Sequence, residues 1–233
     1  FFKQKTAYEI PKRDWSSDVC SSDLLGVLSR MQSNLDSRNM MLLIRHGQST
    51  ANRDGLLVGR TDVALTEKGE QQAASLSGRL GNVRVAFSSP LVRAKRTAEL
   101  AIPGVDIKDD TAFIEMHYGD LDGQLLADVG RETWRALQED HDWRVPGGES
   151  MKDVDERVHA RLDDLFSTNL ALVASSDEHI AIFSHVSPVK SAVAWALGVH
   201  GAAAWRLRLD NATVTAIGAV GSRPTLLKYN ERR

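Results

Sequence analysis

The segment Arg45-His46-Gly47-Gln48-Ser49 places an imidazole beside a guanidinium and a glycine. A neutral imidazole nitrogen is a competent nucleophile near pH 7. Arginine offers paired planar donors that match phosphate oxygens. Together they suit phosphoryl transfer through a phosphohistidine on His46. Gly47 allows close backbone approach, and Gln48, Ser49 and Asn52 add neutral donors for a bound phosphoryl group. The same chemistry calls for more positive charge around the reacting phosphorus, because the in-line transition state spreads negative charge over its equatorial oxygens. Arg93 and His185 are the candidates, and each well-placed donor contributes about 3 kcal/mol to catalysis. The leaving oxygen needs a proton, and Glu115 is the candidate acid, able later to activate water. Asp120 and Asp122 read as ordinary loop acids. Arg60, after Gly59, and Val186, after His185, complete the substrate-binding set, with a solvated loop arginine as the bland reading of Arg60.

These residues are far apart in the chain, so the fold must gather them. Met40 to Ile44 is a compact apolar run that reads as a buried strand ending at Arg45-His46. Val83 to Phe87 is a second strand, running into Ser88-Ser89-Pro90 and a helix over Leu91 to Ile102 that carries Arg93. Ile180 to Phe183 is a third, ending at Ser184-His185. Thr66 is placed to cap a helix over Glu67 to Leu80. Val105 to Lys108 reads as a short strand, Phe113 to Gly123 as loop, and Gln124 to Glu139 contains a helix. Pro146-Gly147-Gly148 breaks the chain before a long helical pattern over Glu149 to Leu172. Val189 to Leu197 is helical. Trp205 to Leu209, Thr213 to Ile217 and Thr225 to Lys228 read as strands, the first two joined through Asp210-Asn211. Strands alternating with helices predict an α/β fold, a three-layer α/β/α sandwich around a mostly parallel sheet. In such sheets ligands bind beyond the carboxyl ends of the strands, which is where the three polar clusters fall.

The 233 residues fit one domain, expected over 40–233. Charge is nearly balanced, with 29 basic and 31 acidic residues. That gives no electrostatic reason to expect nucleic acid or an anionic membrane as partner. The single cysteine, Cys20, excludes an intrachain disulfide and a cysteine metal cluster. No apolar run approaches a membrane span or a secretory signal, so a cytoplasmic location is expected. Composition sets no oligomeric state. Residues 1–39 stand apart. Phe1 to Leu24 has no sustained periodicity and resembles translated sequencing-adapter sequence, so an artefactual or disordered segment is expected there.

The motifs from residue 40 onward resemble those of the histidine phosphatase superfamily, on the branch that includes the cofactor-dependent phosphoglycerate mutases. Arg45-His46-Gly47 matches the family's nucleophile motif, and Asn52 its following asparagine. Leu65-Thr66-Glu67-Lys68-Gly69 matches L-T-x-x-G. Ser89-Pro90-Leu91-Val92-Arg93-Ala94-Lys95-Arg96-Thr97-Ala98 matches the helix bearing the phosphate-binding arginine. Glu115 falls in the acid's E-x-x-x-G context, Pro146-Gly147-Gly148-Glu149-Ser150 on P-x-G-E-S, and His185 on the second histidine. Each motif alone is weak; six in family order carry weight. The resemblance implies a phosphoglycerate mutase-like fold and a metal-independent phosphomonoester hydrolase, needing no cofactor, that acts on a small phosphorylated metabolite. The alternatives are a phosphoglycerate mutase and a non-catalytic phosphate-binding module. Two departures favour the phosphatase: Met116 stands where mutases carry a basic residue after the acid, and the interval before the P-x-G-E-S element is short. Val186-Ser187-Pro188 replaces glycines found in many relatives. His117, His141, His159, His179 and His200 read as structural or exposed. The acids Asp153, Asp155, Glu156, Asp163 and Asp164 read as a solvated face with no metal. The tryptophans read as packing residues, with Trp134 or Trp143 able to line the substrate pocket. Specificity is expected within Phe113 to Gly148.

Overall fold

The computed structural model describes residues 40–172, 178–199, 201–220 and 222–232. The expectations for 1–39 and for His200 lie outside them. Strand β1 (Met41–Arg45) is apolar up to its last residue, and Leu42, Leu43 and Ile44 are fully buried. It sits inside a six-stranded sheet with β2 (Asn82–Ser88), β3 (Ile107–Asp109), β4 (Glu178–Ser184), β5 (Val214–Val220) and β6 (Arg223–Glu231), in the order β3-β2-β4-β1-β5-β6. Only β5 runs against the others. The expected mostly parallel sheet is therefore observed.

Side chains alternate across the sheet, so each face collects its own core. Leu42, Ile44, Ala181 and Phe183 face α2 (Glu67–Ala74), the turns after it and α3 (Val92–Ala101), where Leu76, Leu80, Ala98 and Ala101 meet them. Leu43 and Ile182 face the opposite way. There Val154, Val158 and Leu162 of α5 (Met151–Leu172) and Val189 and Ala192 of α6 (Val186–Leu197) cover them. Each such leucine, isoleucine or valine contributes about 1.5–3 kcal/mol when fully buried. The result is the expected three-layer α/β/α sandwich. Two smaller helices, α1 (Thr50–Asp54) and α4 (Arg131–Glu139), lie in connections. No described helix is long and apolar enough to cross a membrane.

The structure corrects several expectations. Trp205 to Leu209 is not a strand: Gly201–Arg206 forms a 3-10 helix, followed by irregular chain. The alternation of Trp205, Leu207 and Leu209 mimics a strand, but both neighbours of β5 in the sheet are already taken, by β1 and β6. The hairpin thus joins β5 to β6, pairing Val220 with Arg223, not through Asp210-Asn211. Pro224 is tolerated in β6 because that strand is an edge. Helix α6 begins at Val186, three residues earlier than expected. Val186-Ser187-Pro188 is its first turn, where a proline costs no intrahelical hydrogen bond. Asp155 is not on a solvated face. It is buried, accepting from Ser191 Oγ at 2.5 Å and standing 3.2 Å from His141 Nε2.

Candidate functional site

Sheet register brings the two candidate histidines together. In the parallel pair β1–β4, Arg45 stands opposite Ser184. His46 and His185 are the next residue on each strand, and their ring centroids lie 5.1 Å apart. Strand β2 ends alongside, with the Ser89 amide donating to the Phe183 carbonyl at 2.9 Å. The Ser89 hydroxyl lies 2.7 Å from His185 Nε2. Three strand ends thus meet at one edge of the sheet.

The His46 ring is oriented by its own loop. Its Nδ1 is 2.7 Å from the Gly47 carbonyl oxygen. A carbonyl only accepts, so Nδ1 carries the proton and Nε2 keeps the lone pair. The ring is buried yet borders a cavity of about 210 Å³. Burial, reinforced by Arg45 and Arg93, pushes the His46 imidazole well below its ordinary titration range. His185 stands beside His46, fully buried and not bordering the cavity. Burial, with Arg93, His46 and Arg45, lowers its imidazole in the same direction. Both rings are therefore neutral near pH 7, the state a nitrogen nucleophile needs.

Both arginines are pinned by backbone carbonyls. Arg93 donates to the carbonyls of Gly59 at 2.6 Å and Thr61 at 3.0 Å. Arg45 donates to the Leu209 carbonyl at 2.5 Å. Burial lowers both guanidinium groups, but arginine stays charged in proteins. Arg45 Nε and His185 Nδ1 are buried and have no hydrogen-bond partner among the described residues. Buried polar atoms without partners are uncommon.

Glu115 sits at the N-terminus of α6. One carboxylate oxygen accepts from the amides of Met116 at 2.8 Å and Ser187 at 3.2 Å, the other from Val186 at 3.1 Å. A helix N-terminus is a natural seat for a carboxylate. The loop carrying Glu115 is anchored to β4, with Ser184 Oγ donating to the Phe113 carbonyl at 2.6 Å. Glu115 and Val186 both border the cavity.

The remaining candidates divide. Ser49 and Asn52 border the cavity, and they also form the capping box of α1. Gly47, Gln48 and Arg60 do not border it. A Cβ on Gly47 would come within 2.3 Å of the Gly69 carbonyl oxygen, and one on Gly69 within 2.0 Å of the Gln48 carbonyl oxygen. The glycine therefore serves loop-to-helix packing. Gln48 turns toward α2, its side-chain oxygen accepting from Thr66 Oγ1 at 3.0 Å. Arg60 pairs with Glu149 at 2.7 Å. Trp134 borders the cavity, as does Trp205, while Trp143 packs on the core.

Four contributors were not singled out from sequence. Thr97 Oγ1 accepts from the Gly47 amide at 3.0 Å and donates to the Arg93 carbonyl at 2.7 Å, tying the two motifs together. Asn211 Nδ2 lies 3.2 Å from the His46 carbonyl oxygen and 3.0 Å from Asn52 Oδ1. The Asp122 carboxylate accepts from the amides of Gly59, Arg60 and Thr61, the loop that holds Arg93. Tyr118 borders the cavity. Burial raises its phenol, which stays neutral near pH 7. Thr97 is visible as a motif position, but nothing in sequence alone pairs Asp122 or Asn211 with residues so distant. Among the described residues, no group of three or more His, Cys, Asp or Glu is arranged to hold a metal ion. Chemically, the site offers a neutral imidazole, two fixed guanidinium groups and a carboxyl group.

Comparison with known proteins agrees with that chemistry. The family model of the histidine phosphatase superfamily (branch 1) matches residues 41–232. The chain is 34% identical over 184 residues to the Salmonella paratyphi C protein named "Probable phosphoglycerate mutase GpmB", covering 75% of this chain and 82% of that one. Among solved structures it resembles a mycobacterial glucosyl-3-phosphoglycerate phosphatase, with a TM-score of 0.72 and 27% identity over 82% of this chain and 98% of that one. It also resembles the protein titled mycobacterial hydrolase 1, with a TM-score of 0.76 and 27% identity over 84% and 99%. The chain belongs to the histidine phosphatase superfamily, branch 1.

Proposed function

We propose that this protein is a phosphomonoester hydrolase that works through a phosphohistidine on His46 and acts on a small phosphorylated metabolite. The observation that carries this reading is the His46 ring: Nδ1 is committed to the Gly47 carbonyl, and Nε2 keeps its lone pair beside a cavity walled by Arg45 and Arg93. In the first step Nε2 attacks phosphorus while the bond to the leaving oxygen breaks. Glu115 gives its proton to that oxygen. Arg45 and Arg93, which border the cavity, stabilise charge on the equatorial oxygens, and His185 stands against the His46 ring. In the second step the Glu115 carboxylate takes a proton from water, the resulting hydroxide attacks phosphorus, and the N–P bond breaks to restore neutral His46.

Brief incubation with a labelled aryl phosphate, followed by an alkaline quench, should leave label on His46, and His46→Ala should abolish both label and turnover. Normal turnover by His46→Ala would sink the reading. The name of the Salmonella relative favours a mutase instead. Against it, the residue after Glu115 is Met116, fully buried in the core, so no cation stands there to meet a substrate carboxylate. Isomerisation of 3-phosphoglycerate outpacing phosphate release would favour the mutase.

A further inference from the structure

We infer that the outer part of the cavity selects phosphomonoesters whose leaving group is uncharged and presents an apolar ring face, with Trp134 and Trp205 as the selecting residues. This rests on the phosphomonoester reading above.

Burial orders the cavity wall. Arg93 and Glu115 are buried, Arg45 is half-buried beside them, and these are the only charged residues among the described ones that border it. The outer wall comes from three separate segments: Leu56 and Val58 after α1, Leu126 and Trp134 around the start of α4, and Trp205 before β5. Leu126 is 43% exposed and the other four are half-buried; exposed Asn52, its Oδ1 accepting from Ser49 and Asn211, is the polar member of the rim. An apolar rim held open to water is a surface that gains by being covered. Its two indoles favour a ring or another flat apolar face.

The charge pattern excludes the other class of leaving group. Once Arg45 and Arg93 hold the phosphoryl oxygens, no bordering cation remains for a second anion. Lys190 does not border the cavity; its ammonium sits over the Trp205 ring, 5.6 Å from its centroid. A carboxylate on the leaving group would exchange water for indole and aliphatic carbon, with Glu115 as the one bordering charge, among the described residues, that the phosphoryl group does not engage. Both the lost hydration and the like charge disfavour that.

The test is calorimetric binding to the full chain, using phosphonates that cannot be hydrolysed. Propylphosphonate and 3-phosphonopropionate differ by a methyl in place of a carboxylate. The former should bind at least about tenfold tighter, as an unpaired desolvated carboxylate requires. Benzylphosphonate should bind about tenfold tighter than methylphosphonate, in line with aromatic pairing plus buried area. Trp134→Ala and Trp205→Ala should each cut that benzyl-to-methyl ratio about fivefold, while Trp134→Phe and Trp205→Phe largely keep it. The ratio cancels any general loss of folded protein. Equal or tighter binding of 3-phosphonopropionate overturns the inference. So does a ratio unchanged in both alanine variants, and so does failure of every phosphonate to bind. Phosphate release from phenyl phosphate is followed on the same preparation. Selective binding without release fells the hydrolase reading and leaves the selection standing; release with reversed selectivity does the opposite.

Discussion

The hydroxyl of Thr97 bridges the Gly47 amide, 3.0 Å away, and the Arg93 carbonyl, 2.7 Å away. One oxygen on α3 thereby fixes the loop of the proposed nucleophile against the helix that carries Arg93, the proposed phosphate-binding arginine. The site is fully buried, so the bridge cannot be replaced by bulk water. Thr97→Val keeps the shape and removes the acceptor, leaving the Gly47 amide buried without a partner. The expected cost is about 1–3 kcal/mol in denaturant unfolding. A fall in kcat/KM should accompany it, with Thr97→Ser restoring most of both. A valine variant as stable and as active as the parent would refute the bridge.

Arg93 is held through a relay. Its guanidinium donates to the carbonyls of Gly59 and Thr61, and the amides of that same loop donate to the Asp122 carboxylate. Asp122→Ala should free the loop and loosen Arg93 without touching substrate. Misplacing a catalytic group by about 1 Å costs up to about 100-fold. A drop in kcat/KM of about 10- to 100-fold is therefore expected, with weaker inhibition by vanadate. Unchanged vanadate inhibition would show that Arg93 does not depend on the relay.

Much of this was legible in the sequence, and the reason is periodicity. The apolar runs of β1, β2 and β4 and the long face of α5 announce themselves over several residues. The polar residues just past those runs follow, because parallel strands deliver their ends to one edge. Register was not legible. The pairing of Arg45 with Ser184, which sets His46 beside His185, depends on packing of the whole sheet. Helix α1 was invisible because five residues carry no periodic signal, although its caps, Ser49 and Gly55, are plain once seen. Trp205-Arg206-Leu207-Arg208-Leu209 alternates like a strand, but both places beside β5 are taken by β1 and β6. Asp122 and Asn211 act over separations of 60 residues and more, where nothing local marks the partner.

The two buried histidines set a direction for pH dependence. In the unfolded chain each takes up a proton near 6.5. In the folded chain burial and the neighbouring arginines delay that uptake to much lower pH. Below about pH 6.5 the unfolded chain thus binds more protons, so stability is fully present above that value and falls as acid is added. Each histidine contributes a slope approaching about 1.4 kcal/mol per pH unit. Urea unfolding at pH 7.5, 6.5 and 5.5 should show the loss, and His185→Asn should flatten it by about one histidine's share. The same shift keeps His46 neutral in mild acid, so kcat/KM should show no acid limb centred at 6.5. A limb there that persists in Glu115→Gln would contradict the assignment.

Glu115 offers the sharpest test of the proposed chemistry, because its role depends on the leaving group. Its carboxylate receives three backbone amides, from Met116, Val186 and Ser187, and borders the cavity. Glu115→Gln keeps the size of the side chain and one accepting oxygen, but it cannot deliver a proton to an alkoxide. General acid catalysis is worth about 100- to 10,000-fold. A loss in that range is expected for an alkyl phosphate, whose leaving oxygen needs the proton. With 4-nitrophenyl phosphate the departing phenolate is stable without protonation, so formation of the phosphohistidine should be nearly spared. Its breakdown should still be slow, because the amide cannot take a proton from water. Labelled His46 should therefore accumulate in this variant, visible as a burst of nitrophenolate followed by slow release of phosphate. Equal losses with both substrates and no burst would remove Glu115 from the proton path and leave it as a cap on α6.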